Sequence, residues 1–267
     1  MPEMAAELPS QGDDKDNMPA MGFLEHLEEL RRRIFYSLGA VTVGFFACWA
    51  YAEKIYEIMQ RPIMEALRHN RLPEKLVYLN PTEPFNMYLK VAFLAGLFVT
   101  SPFVLYQVWA FIAPGLYRHE KRYVTPFMVS TVALFLAGGY FGYKLVYPQA
   151  LEFLISYGKQ FQPMITIGEY TNLFLTIIIG MGVIFEMPIL VFFLSLMGIV
   201  SAGWMWRNLR YSILVIFIIA AIITPTTDIM NMCIFAAPMV ALYVVSIAIA
   251  WLVHPKQRKA RREKQSK

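Results

Sequence analysis

Between Glu169 and Arg207 lie 37 residues with a single charged side chain, Glu186. A stretch that long and apolar can cross a bilayer, which needs ~20 apolar residues. A carboxylate near the middle of such a span costs roughly 2.5–3.5 kcal/mol on insertion scales unless it faces protein or water. Pro188 follows two residues later, and its ring removes a backbone donor and kinks a helix, freeing carbonyls at the same depth. A simple anchor has no use for that pairing. The chain therefore reads as a membrane protein in which Glu186 either faces a cavity in a functional role or is a structural carboxyl bonded to a neighbouring helix.

The rest of the chain conforms. It is 57% hydrophobic and only 16% charged, whereas soluble domains carry ~25% charged residues. Uncharged runs fall at Ile34–Ala52, Val91–Tyr117, Tyr123–Tyr143, Tyr170–Trp206, Tyr211–Thr227 and Ile229–Val253. Each is near or above spanning length, and the fifth is the shortest. Thr224-Pro225-Thr226-Thr227-Asp228 reads as a tight turn between the last two. The expected fold is all-α and polytopic, with six transmembrane helices.

Basic residues set the orientation. With both termini cytoplasmic, the cytoplasmic segments hold Lys and Arg in a two-to-one excess over the other side, as the positive-inside bias requires. Lys256 to Lys267 form a basic tail suited to anionic lipid heads, so the net charge of +5 is no argument for nucleic-acid binding. Three parts are expected: a disordered leader (1–21), a six-span domain (22–253) and the cytoplasmic tail (254–267). Arg31–Arg33 ahead of an apolar run look like the start of a secretory signal, but the run is long and the leader acidic, so an uncleaved first span is expected. Cys48 and Cys233 lie inside spans, the four histidines have no ligand spacing, and there is no phosphate-binding glycine loop. No metal, cofactor or enzymatic chemistry is indicated.

Two flanking segments are amphipathic. Phe23, Leu27, Leu30 and Ile34 mark one helical stripe leading into the first span. Beyond that span, Ile55, Ile58, Met59, Pro62, Ile63, Ala66 and Leu67 recur at helical spacing, with Glu57, Arg61, Glu65 and Arg68 opposite. That pattern predicts a helix lying at the membrane surface or capping the bundle. Pro73, Pro81 and Pro84 should break the loop that follows, and a weaker, partly helical cap is expected over Pro148–Glu169. Between the second and third spans, Pro114-Gly115 ends a helix, and Trp109, Phe111 and Tyr117 suit the headgroup level. Glu120 there sits among Arg118, His119, Lys121 and Arg122. It is either a neutralised surface acid or an acceptor for a guanidinium ligand, which a carboxylate binds bidentately.

Four motifs now share one likeness. His26-Leu27-Glu28-Glu29-Leu30-Arg31, the stretch from Tyr106 to Tyr117 with His119-Glu120, Phe185-Glu186-Met187-Pro188, and Thr224 to Asp228 all resemble the TatC family of twin-arginine translocase subunits, in order over residues 22–253. The resemblance implies a concave, kinked bundle with extracytoplasmic caps in the bacterial cytoplasmic membrane. It implies a receptor that binds the twin-arginine signal peptides of folded exported proteins and assembles with TatA-like and TatB-like single-span subunits into a multimeric complex driven by the proton motive force. By the same resemblance, Glu120 binds the arginine pair, Glu29 supports it and Phe111 shapes the site. Pro62 belongs to the extracytoplasmic cap, Glu186 and Pro188 to the intramembrane groove, and Asp228 to partner contact. One departure is Met232, where some relatives carry glutamine, although Asn231 is adjacent.

A rival reading is a proton- or ion-coupled small-solute transporter, which would share the intramembrane acid and the broken helix. Neither a second intramembrane charge forming a relay nor an inverted repeat is visible in the sequence to support it.

Overall fold

The computed structural model describes residues 23–112, 124–158, 161, 164–223 and 229–265. The leader, the loop carrying Glu120 and the turn carrying Asp228 lie outside the described residues. The described chain runs α1 (Phe23–Trp49), α2 (Ala52–His69), α3 (Glu83–Ile112), α4 (Val124–Phe141), a π-helical turn (Gly142–Val146), α5 (Tyr147–Tyr157), α6 (Ile167–Ile184), α7 (Met187–Leu196), α8 (Ala202–Arg207), α9 (Leu209–Ile223) and α10 (Ile229–Gln265).

This is an all-α polytopic membrane protein. Glu83–Ile112, Phe127–Tyr157, Ile167–Leu196 and Met232–Leu252 are each long and apolar enough to span. The first expected run lies in α1, which meets the test together with α2. The fifth lies in α9, whose 15 residues extend about 22 Å, short of a typical ~30 Å hydrocarbon core.

Polar turns extend the helices past their uncharged runs. α3 begins at Glu83, eight residues ahead of Val91, and Lys90 in this extension donates to Asn172 Oδ1 on α6 at 2.6 Å. Pro84 does not break the loop as expected. It lies in the first turn of α3, where its missing N–H would have had no helical acceptor. The third run does not end at Tyr143 either. The π turn carries the helix through Lys144 into α5, so Pro148 starts a continuing helix rather than a separate cap. The fourth run is not one helix to Trp206. α7 stops at Leu196, Gly198 takes a positive φ of 76°, and α8 starts anew with Ser201 Oγ accepting from Trp204 N.

α1 packs along α3 through two glycines. A methyl on Gly96 would sit 2.6 Å from the Phe45 nitrogen, and one on Gly44 would sit 2.9 Å from the Gly96 carbonyl oxygen. Backbones that close need small residues, as in membrane helix pairs generally. At its far end α1 turns through 86° into α2. α2 then lies across the bundle with Met59, Pro62, Ile63 and Leu67 buried and Glu57, Arg61, Glu65 and Arg68 exposed, one of the two arrangements its spacing allowed, although Ile58 of the expected apolar face is exposed. Past α2, Arg68 pairs with Glu74 through two bonds, at 3.0 and 2.7 Å. The Arg68 hydrogen bond holds the Glu74 carboxyl below its usual range. Val77 next bridges Ile165 and Ile167, tying the α2–α3 connection to the start of α6.

Candidate functional site

The first candidate site lies where the start of α1 meets the end of α3. Trp109, buried, packs edge-on to Phe127 at 4.4 Å and against Phe193 at 5.3 Å. Those contacts anchor the last turns of α3 to α4 and α7. Phe111, two residues on, stacks on His26 with ring centroids 4.3 Å apart and planes 14° from parallel. Glu29 follows one turn after His26 and is 8% exposed.

Glu29 is half satisfied. Arg33 Nε donates to its Oε1 at 2.9 Å, and Arg33 Nη1 donates to Gln107 Oε1 at 3.2 Å. Glu29 Oε2 is buried with no hydrogen-bond partner among the described residues. A buried carboxylate oxygen without a donor is costly, so this atom is an open acceptor. Along α1, Glu25, Glu28 and Glu29 line a cleft of about 560 Å³ with Arg31 and Arg32.

The structure thus brings Glu29 and Phe111 together at the edge of the loop that carries Glu120, which itself lies outside the described residues. Arg33, Gln107 and His26 complete the cluster and carry no assigned role in the sequence reading. Gln107 had a legible signal: a lone amide in an apolar run is the same kind of anomaly as Glu186. The apolar stripe of α1 does not form its packed face, since Leu27 and Ile34 are exposed. Glu29 is buried instead and Arg33 half-buried, while Glu25, Glu28, Arg31 and Arg32 stay exposed.

The second candidate site is the junction of α6 and α7. Within the single span Ile167–Leu196 the helix is interrupted at Pro188, as the sequence predicts. It stops at Ile184, turns through Phe185 and Glu186, and restarts with Pro188 in the first turn of α7. Both Glu186 carboxyl oxygens are buried and neither has a hydrogen-bond partner among the described residues. The alternative of a structural carboxyl bonded to a neighbouring helix thus has no bond to rest on among those residues. Gly138 brings α4 close to the break: a methyl there would lie 2.5 Å from the Met181 carbonyl oxygen. Ile184 and Met187, flanking the turn, line a cavity of about 400 Å³ walled by Trp204, Tyr211, Val215 and Tyr243.

Pro62 sits in mid-α2. Its missing N–H strips the Ile58 carbonyl of its helical donor, and the Tyr143 hydroxyl donates to that carbonyl at 2.8 Å. Tyr170 donates to the neighbouring Met59 carbonyl. Pro102 in α3 repeats the arrangement, with Ser101 Oγ donating to the freed Phe98 carbonyl at 2.7 Å. No group of three or more potential metal ligands occurs among the described residues.

Comparison with known proteins places these features in one family. The family profile described as Sec-independent protein translocase protein (TatC) matches residues 25–238. A Sec-independent protein translocase protein TatC of Koribacter versatilis is 72% identical over 251 residues, covering 94% of this chain and 93% of its own. The namesake from Carboxydothermus hydrogenoformans is 37% identical over 238 residues, covering 89% and 96%. A solved structure titled as the twin arginine translocase receptor TatC superposes with a TM-score of 0.77 at 33% identity, covering 86% of this chain and 99% of that one.

Proposed function

The chain belongs to the TatC family of Sec-independent protein translocases, and from that premise we propose that it is the receptor and core subunit of a twin-arginine export system. It is a multi-pass integral protein of the bacterial cytoplasmic membrane. It binds the signal peptides of folded proteins, works with TatA-like and TatB-like single-span subunits in a multimeric complex driven by the proton motive force, and performs no catalysis itself.

The observation that carries this reading is the open Oε2 of Glu29, buried beside the Phe111–His26 stack at the edge of the Glu120 loop. A signal peptide presents two guanidinium groups followed by an apolar helix. Glu120 takes the arginine pair bidentately, Glu29 supports it from α1, and Phe111 gives the peptide an aromatic wall. The planar fork of arginine meets both oxygens of a carboxylate, which lysine cannot do. Glu186 and Pro188 form the polar break in the membrane groove that receives the apolar stretch or a partner helix. Asp228 lies at a partner contact, and Pro62 holds the cap.

Charge-assisted bonds of this type contribute roughly 1.5–3 kcal/mol each. Glu120→Gln should therefore weaken binding of a synthetic twin-arginine peptide by about tenfold or more while the subunit still inserts. Photocrosslinking from position 111 should capture the same peptide, and a double-lysine peptide should bind poorly. Unchanged affinity for Glu120→Gln at low and moderate salt would remove the carboxylate–guanidinium account.

The proposed orientation has both termini in the cytoplasm. Cysteines placed in residues 22–33, 114–122, 199–210 and 254–267 should react with an impermeant reagent only after permeabilisation. Cysteines near residues 70 and 160 should react in intact cells. Protection of position 70 in intact cells would reverse the assignment.

A further inference from the structure

We propose that the end of the bundle covered by α2 holds one phospholipid, its acyl chain in a groove between α3 and α4 and its phosphate between Arg61 and Lys144. The groove has a volume of about 310 Å³ and almost wholly apolar walls, among them Ile58, Leu94, Phe98, Leu136 and Tyr140. Ile58, Leu136 and Tyr140 are among its exposed residues, so it opens to the side, where a membrane supplies hydrocarbon chains. Its lining carries two hydroxyls, Tyr140 and Tyr143, and the second is bonded to the Ile58 carbonyl.

The mouth is different in character. Tyr143 lines the groove and donates its hydroxyl to the Ile58 carbonyl, which pins the groove to α2. Lys144 Nζ lies 5.6 Å from the Tyr143 ring centroid. The charges of Arg61 and Glu65 both reach the Tyr143 phenol. Neither Arg61 nor Lys144 has a carboxylate within salt-bridge distance among the described residues, although Glu57 and Glu65 flank Arg61 on α2. Because α2 turns 86° from α1, this mouth is at the membrane surface, the level of the headgroup phosphates. An apolar groove below and two unpaired cations above match the two halves of a phospholipid. A partner transmembrane helix would use the groove but leave both cations without a ligand.

The test uses the full chain, delipidated in detergent and titrated with dioleoyl-phosphatidylglycerol under native mass spectrometry. The wild type should retain one lipid per chain after loosely held lipid is stripped. Arg61→Gln with Lys144→Gln should bind about thirtyfold more weakly, since each basic residue near an anionic surface contributes about 1 kcal/mol. Leu136→Trp, at an exposed groove wall, should weaken retention by filling the groove, while Arg68→Gln, already paired with Glu74, should not. These are surface positions, so folding is not at stake. Equal retention by the double variant and by Leu136→Trp overturns the proposal. So does photocrosslinking from position 140 in native membranes that captures another polypeptide instead of lipid.

Discussion

Export of a folded protein with a twin-arginine signal should fall on the order of tenfold when Glu186 is replaced by alanine, with the inserted subunit at normal abundance. The two buried carboxyl oxygens have no partner among the described residues, so removing them breaks no bond within that part of the chain. Insertion should become easier, because a mid-membrane carboxylate costs roughly 2.5–3.5 kcal/mol. What alanine removes is the pair of unpartnered oxygens at the α6–α7 turn, which on the proposed reading accept from a ligand outside the chain. Glu186→Gln should be milder, because an amide still accepts and donates hydrogen bonds. Export and membrane-inserted abundance must be measured on the same cells. Full export by Glu186→Ala at normal abundance would make the residue irrelevant to transport.

The second large effect is on stability. Gly96→Leu should abolish accumulation of the folded subunit, and Gly96→Ala should already cost about 1–3 kcal/mol. The added carbon would meet the Phe45 backbone at 2.6 Å, and backbone cannot swing aside as a side chain does. Separating α1 from α3 would also part Arg33 from Gln107 and His26 from Phe111, so peptide binding should go with it. Thermal unfolding in detergent compares the variants directly. Gly203→Ala, where an added methyl meets nothing within 4 Å, serves as the neutral control. An unchanged midpoint for Gly96→Leu would show that the α1–α3 contact does not hold the bundle together.

Much of the fold was legible because lipid imposes one rule on every segment. Backbone polar groups inside hydrocarbon must be satisfied within the segment, so long uncharged runs become helices whatever their neighbours do. The amphipathic period of α2 was equally readable, since its buried and charged faces follow from spacing alone. Glu186 and Pro188 announced a break in the fourth run by their cost.

Helix ends and polar partners were decided elsewhere. Lys90 and Lys144 ended the uncharged runs on paper, yet both sit in continuous helix. A lysine near a helix end can reach a partner such as Asn172 or the interface, and charge counting along one strand of sequence contains no such neighbour. That α4 approaches the α6–α7 break closely, at Gly138, is visible in neither segment alone. The pairing of Tyr143 with the Ile58 carbonyl joins residues 85 positions apart. A proline inside any helix orphans a carbonyl, but only packing could supply the hydroxyl. The same holds at the proposed peptide site. Glu29 was identifiable by motif, whereas its one open oxygen, and the sharing of Arg33 with Gln107 of α3, appear only in the tertiary structure. Local periodicity and the solvent's demands belong to the chain alone; which polar atom is left without a partner is a property of contacts between distant segments.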